Sequence, residues 1–294
     1  MNSLENRVAA ITGAASGLGR ELARFAARER MRIALADVQR DALDVVVNEL
    51  RRTGAVVISD VVDVSQTAQV QRFAEHVFSA FGNVHLLINN AGVGGGGYVW
   101  ENTARDWQWV MGVNLMGVVH GVQHFVPRML EANRRAEAGH IVNTASVAGW
   151  LTAPLMGVYN VSKHAVVALS ETLYHDLQLA QSSLGVSVLC PAFVPTGIAL
   201  SHRYRPPELL NADALTASQR IAQSATEKAV ASGKITAQQI AQLTFDAVRE
   251  NRFYVFTHPQ ILPSLRARFD AVLNGAAPAD PYASRPSSRP STPG

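Results

Sequence analysis

Tyr159 and Lys163 stand four residues apart, and Ser146 lies upstream of them at the end of the apolar run 140–145. On a helix, positions i and i+4 share one face, one turn apart. An ammonium that close to a phenol favours the phenolate and lowers a pKa that is otherwise about 10. A tyrosine tuned in this way serves as a general acid or base near neutral pH. The Ser146 hydroxyl is placed to hydrogen-bond the same reacting oxygen. The chemistry this trio offers is proton transfer to and from an alcohol. The Tyr–Lys spacing alone reads equally well as a solvated helix face, so the elements around it carry the decision.

A β-branched run, Arg7 to Ile11, leads into Thr12–Gly19, and a helix follows over Arg20–Arg30. Gly13, Gly17 and Gly19, with Ser16 and Leu18 among them, are spaced G-x-x-x-G-x-G. Glycines at a strand–helix junction let backbone N–H groups approach a pyrophosphate, and the helix N-terminus faces its charge. A second strand, Arg32–Ala36, ends at Asp37, about 20 residues beyond the glycines, where a carboxylate accepts from the adenosine ribose hydroxyls. Asp37 also repels the extra phosphate of NADP, which favours NAD, with Arg40 nearby to offset part of that repulsion. Asp37 reads equally as a cap for the helix Asp41–Arg52. After the strand Ala55–Asp60, Asp63 and Val64 are candidates for the adenine edge, although Asp63 or Ser65 could instead cap the helix Thr67–Phe81.

The apolar run Val84–Ile88 suits a strand buried on both faces. Asn90, Ala91 and Gly92 close it with small residues against which a cofactor can lie. The glycine-rich loop Val93–Gly97 is expected to be mobile and to form part of a substrate mouth. Thr103–Arg135 reads as one or two helices containing Asn114, an unfavourable residue mid-helix. Asn114 is either hydrogen-bonded in the core or the holder of an ordered water beside the lysine. Strands over His140–Ala145 and Val186–Cys190 flank the helix Tyr159–Ser182. Pro191, Val194 and Thr196 lie in a rigid turn. The segment 197–233 is mostly helical, followed by a helix over Thr236–Asn251 and a strand over Phe253–Phe256. The predicted organisation is one domain over residues 1–275, with a substrate-loop insertion at about 197–235, and a disordered Pro/Ser-rich tail over 276–294.

Strands alternating with helices imply a Rossmann-type α/β fold: a doubly wound parallel sheet of about seven strands with helices on both faces. Ligands then sit beyond the carboxyl ends of the strands, where the glycine loop, Asp37, Asp63, Asn90, Ser146 and Pro191 all fall. The 294 residues suffice for one large domain, and the net charge of +3 comes from dispersed basic residues, which does not suggest a nucleic-acid binder. No apolar run is long enough to span a membrane. The short lead before the first strand leaves no room for a signal peptide, and the single cysteine, Cys190, reads as a buried apolar residue of a cytoplasmic protein. No metal ligand set is assigned.

Taken together, the motifs from Thr12 to Thr196 resemble the short-chain dehydrogenase/reductase family, and Ser146 precedes Tyr159 by 13 residues, as is usual there. The resemblance implies a nicotinamide cofactor and Tyr159 as general acid/base. It implies Lys163 as the group that lowers the tyrosine pKa and holds the nicotinamide ribose, Ser146 as the residue that positions the substrate oxygen, and Asn114 as the holder of a relay water. Val194 and Thr196 then hold the carboxamide. Ala192 departs from the family's usual Pro-Gly. Tyr98, Trp150, Leu151, Leu155, Met156 and Phe193 are candidates to line an apolar substrate pocket. The expected activity is NAD-dependent interconversion of a secondary alcohol and a ketone, hydrophobic or aromatic, by a homotetramer or homodimer packed through its long helices. An NADP-dependent ketone or 3-oxoacyl reductase and a non-catalytic nucleotide-binding regulator are the alternatives.

Overall fold

Alternation along the first strand, β1 (Val8–Thr12), sends Ala9 and Ile11 to one face and Val8 and Ala10 to the other, and all four are fully buried. A strand buried on both faces must be central in a parallel sheet. In the computed structural model, which describes residues 3–135 and 137–282, β1 pairs in parallel with β2 (Arg32–Asp37) and β4 (Leu86–Asn89). With β3 (Val57–Val61), β5 (His140–Thr144), β6 (Gly185–Cys190) and β7 (Tyr254–Phe256), the sheet has the order β3-β2-β1-β4-β5-β6-β7, parallel throughout.

Two helical layers cover it. On one face, α1 (Gly17–Arg28), α2 (Arg40–Arg52) and α8 (Ala237–Glu250) bury Leu22, Leu43 and Phe245, and Phe25 stacks on Phe245 with ring centroids 4.4 Å apart. On the other, α3 (Thr67–Phe81), α5 (Gly117–Asn133) and α6 (Gly157–Leu179) bury Phe73, Phe125 and Leu177. Each such side chain contributes roughly 1.5–3 kcal/mol by leaving water. The sheet order reverses between β1 and β4, so their following connections diverge and leave a crevice at the strands' carboxyl ends.

Three elements differ from the sequence reading. α1 starts at Gly17, because Gly17 and Gly19 fall within its first turn. The stretch 103–135 divides into α4 (Ala104–Met111), a π-helical turn Gly112–Met116 and α5. α9 (Leu262–Leu273) follows β7 in a region left unassigned, although Pro263 in its first turn marks a helix start. The segment 197–235 holds 3₁₀ turns at Gly197–Tyr204 and Pro207–Leu209 and the helix α7 (Ala217–Ala231). Residues 276–282 carry no helix or strand, and the rest of the tail lies outside the described residues. Among the described residues no helix is long and apolar enough to cross a membrane.

Candidate active site

A cleft of about 1750 Å³ runs along the carboxyl ends of the strands. At one end, Gly13, Ser16, Gly17, Leu18 and Gly19 face it from the β1–α1 turn. A Cβ on Gly13 would come within 2.7 Å of the Ala91 backbone, and one on Gly19 would lie 2.0 Å from the Gly13 carbonyl oxygen. Only glycine allows this packing, which brings the first N–H groups of α1, unpartnered within the helix, to the cleft wall. Thr196 seats against Gly17, where a Cβ would meet its side chain at 3.1 Å.

Asp37 ends β2 and is 6% exposed, yet it lines the cleft. Its carboxylate accepts from the Ala15 amide at 2.9 Å and from the Gln39 amide at 3.0 Å. It therefore braces the glycine turn and forms an Asx-type turn before α2; the cap position itself belongs to Gln39. Burial pushes its pKa up against the pull of these amides. Arg40 is exposed and is not part of the cleft lining. Asp63 and Val64 line the cleft beside it. The Asp63 carboxylate accepts from the Ser65 amide at 2.9 Å, and α3 is capped by neither residue, since Gln66 occupies that position.

Asn90, Ala91 and Gly92 close β4 at the cleft floor. The Asn90 amide nitrogen donates to the carbonyls of Thr12 and Gly13, at 3.1 and 3.3 Å, and Thr12 Oγ1 accepts from the Asn90 and Ala91 amides. Thr12 was not singled out from the sequence, yet it fixes the distance between β1 and β4. Behind it, Asn89, Asn143 and Ser170 form a buried chain of hydrogen bonds that the sequence reading also missed.

Ser146, Tyr159 and Lys163 converge where β5 meets α6. Ser146 Oγ donates to the Pro191 carbonyl at 3.2 Å and accepts from the Ala148 amide at 3.1 Å, which aims the hydroxyl. Lys163, 2% exposed, donates to the Thr144 carbonyl at 2.9 Å, and its Nζ lies 5.7 Å from the Tyr159 ring centroid. Burial takes the lysine pKa down to about 8. The expected lowering of the tyrosine pKa is not what this arrangement shows. Burial pushes the Tyr159 hydroxyl up, and its hydrogen bond with Ser146 pulls it back in part.

Asn114 departs from its expected place as a water holder on the cleft. It is fully buried in the π-helical turn and is not part of the cleft lining. Its Oδ1 accepts from the Val93 amide at 2.8 Å, and its Nδ2 donates to the Val93 carbonyl and to Ser162 Oγ, each at 3.0 Å. The extra residue in the turn points the amide inward to clamp Val93. These bonds fit the core-bonded reading of Asn114.

Two pocket candidates are also displaced. Tyr98 stacks on the exposed Trp100, with centroids 4.5 Å apart, and is absent from the cleft lining. Trp150 leaves the 3₁₀ turn Val147–Gly149 toward the far side: its indole donates to Cys190 Sγ at 3.3 Å, and its ring packs on Tyr254, Phe256 and Phe269. Leu151, Leu155, Met156 and Phe193 do line the cleft, as do Pro191, Val194 and Thr196. The Ala192 amide donates to His258 Nδ1 at 3.3 Å. Val93, Gly94 and Gly95 of the glycine run line the cleft, and the run is closely packed. A Cβ on Gly96 would lie 2.6 Å from the Ala222 Cβ, and one on Gly97 would lie 2.6 Å from Gln219 Cγ, so α7 seats directly on this loop.

The lining fits a dinucleotide: helix N–H groups for a pyrophosphate, carboxylates at one end, and a proton-transfer pair at the other. The comparisons agree with this geometry. The short chain dehydrogenase family profile matches residues 7–205, and the chain belongs to that family of oxidoreductases. A CLA biosynthesis dehydrogenase/reductase of Lactiplantibacillus plantarum is 34% identical over 285 residues, covering 95% of this chain and 97% of that protein. A C alpha-dehydrogenase of Sphingobium sp. is 31% identical over 97% of this chain and 92% of its own length. A short-chain dehydrogenase/reductase from Burkholderia phymatum, solved in complex with NAD, is 54% identical, with a TM-score of 0.93 over 95% of this chain and 99% of that one.

Proposed function

We propose that this oxidoreductase interconverts a hydrophobic or aromatic secondary alcohol and its ketone with NAD. The convergence of Ser146, Tyr159 and Lys163 at the end of a cleft that opens on Asp37 carries the reading. The Burkholderia phymatum protein, more than half identical, binds NAD, which supports the same cofactor here. Asp37, a carboxylate with no cation lining the cleft beside it at the β2 end among the described residues, supports NAD over NADP.

The glycine turn and the start of α1 would hold the pyrophosphate, Asp37 the adenosine ribose, and Val194 and Thr196 the carboxamide. Asp63 and Val64 would meet the adenine. When bound, the nicotinamide supplies the acceptor or donor of hydride. Ser146, held by Pro191 and Ala148, orients the substrate oxygen toward Tyr159. Tyr159 gives that oxygen a proton in reduction and takes one in oxidation, which contributes roughly 10²–10⁴-fold. Lys163, held by the Thr144 carbonyl, stabilises the phenolate form as it develops. Asn114 supports this group from behind by fixing Val93. Leu151, Leu155, Met156 and Phe193 exclude water and favour an apolar substrate body.

The test is a titration of the protein with NADH and NADPH, followed by nicotinamide fluorescence. Wild type is expected to bind NADH more tightly, and Asp37→Ala to lose most of that preference. A preference for NADPH in wild type would contradict the reading.

A further inference from the structure

The two carboxylates that line the cleft, Asp37 and Asp63, both lie at its β2–β3 end. The opposite wall, under α7, carries cations instead. Arg220 and Lys228 line the cleft there, with Ser224 between them. Positions 220, 224 and 228 follow one another at i, i+4 and i+8, so they form a single strip along the helix.

The rest of α7 is ordered around that strip. Ser218, Gln219 and Ala222 are buried against the glycine run: the Ser218 hydroxyl accepts from the Tyr98 amide at 2.9 Å, and Ala222 meets Gly96. Ile221 and Ala225 come next around the helix and line the cleft. The Arg220–Ser224–Lys228 strip lies beyond them and is exposed. With about 3.6 residues per turn, the helix thus passes from a docked face, through an apolar strip, to a cationic one. A ligand with an apolar body inside and an anion at the mouth matches that order.

The cations are available. Arg220 donates to its own helix start at the Leu215 carbonyl, and neither Arg220 nor Lys228 is ion-paired among the described residues. The neighbouring carboxylates are engaged elsewhere: Glu101 accepts from Thr216 and Ser218, and Glu227 accepts from Gln223. Lys234 belongs to the Phe193–Pro195 side of the cleft, where Gly233 packs.

We propose that the substrate is an apolar secondary alcohol or ketone bearing a carboxylate, and that Arg220 and Lys228 receive this anion at the cleft mouth. The inference rests on the alcohol–ketone reading above and names the substrate class of that same site.

The test uses NADH-loaded protein and two probe pairs of different reach: decanoate against decanamide, and para-acetylbenzoate against para-acetylbenzamide. Binding is followed by the change in NADH fluorescence. Each carboxylate is expected to bind about five- to tenfold more tightly than its amide, the yield of two exposed charge pairs. The advantage should shrink as salt rises. The double variant Arg220→Gln/Lys228→Gln is expected to lose it, and Arg220→Lys/Lys228→Arg to keep it. Equal binding of acid and amide to wild type, or a preference that survives in the glutamine variant, would overturn the proposal. So would a glutamine variant that weakens NADH itself and leaves the acid preference intact, because the strip would then serve the dinucleotide. Failure of wild type to bind NADH at all would instead overturn the cofactor reading on which the proposal rests.

Discussion

Asp106 ties α4 to the segment that covers the cleft, and removing its charge should loosen both. Its Oδ2 accepts from the Thr103 amide at 2.8 Å and the Thr103 hydroxyl at 3.0 Å. Its Oδ1 accepts from Arg205 at 2.6 Å and from Asn211 at 3.0 Å. The Asp106 and Arg205 side chains are each 11% exposed, and the guanidinium lies over the Trp109 ring at 5.2 Å. Asp106→Ala removes the capping box at the start of α4, which costs about 1 kcal/mol. It also leaves Arg205 without a counter-charge. That loss is roughly 3–5 kcal/mol for a fully buried pair and smaller at this partly open site. Together the expected destabilisation is about 3 kcal/mol. Burial alone would raise the Asp106 pKa, but hydrogen bonds from Thr103, Arg205 and Asn211 hold it below the usual carboxylate range. A depressed carboxyl adds stability above its unfolded pKa of about 3.9 and loses it as pH falls through the folded value. Urea unfolding of wild type and variant at neutral pH should therefore show the full difference, and the gap should close toward acid. A neutral-pH difference below about 1 kcal/mol, or a gap that stays constant into acid, would refute the reasoning.

Two further perturbations probe the seat of α7 and the buried lysine. In Gly96→Ala, the new methyl meets the Ala222 Cβ at 2.6 Å and the Leu155 carbonyl oxygen at 2.9 Å. Overpacking there should cost about 1–3 kcal/mol and raise the substrate KM more than the NADH Kd; equal thermal stability of the two proteins would refute the close packing. Lys163 has its pKa lowered by burial from 10.5 to about 8, so between these pH values the unfolded chain binds more protons and stability should rise with pH. The unfolding free energy from urea titration of wild type relative to Lys163→Met should climb across that window by up to about 3 kcal/mol, and a flat difference would contradict the assignment.

What could be read from the sequence was local. The glycine spacing, the carboxylate ending β2 and the Tyr–Lys pair sit within single strand–helix junctions, where residue type and periodicity decide conformation. Asn114 was legible only as an anomaly; that it turns inward depends on the π-helical turn, which no spacing announces. Trp150 and Tyr98 follow turns, and the direction in which a side chain leaves a turn depends on the partner that receives it, here Cys190 and Trp100. The glycines at 94–97 suggested freedom, whereas the smallness of Gly96 and Gly97 serves α7, more than a hundred residues away in the chain. Arg205 and Asp106, and Thr12 and Asn90, are likewise joined only by the fold.

In the proposed reaction Tyr159 transfers the proton while Ser146 holds the substrate oxygen. The measurement that tests it most directly is absorbance at the reduced-nicotinamide band, with NAD and a panel of aliphatic and aromatic secondary alcohols, for wild type and Tyr159→Phe side by side. Because Tyr159 is expected to act as a base in this direction and its hydroxyl is held above its ordinary pKa, the wild-type rate should rise with pH. The variant should keep its NADH affinity and lose roughly 10²–10⁴-fold in turnover. A Tyr159→Phe protein that turns over at close to the wild-type rate would contradict the account.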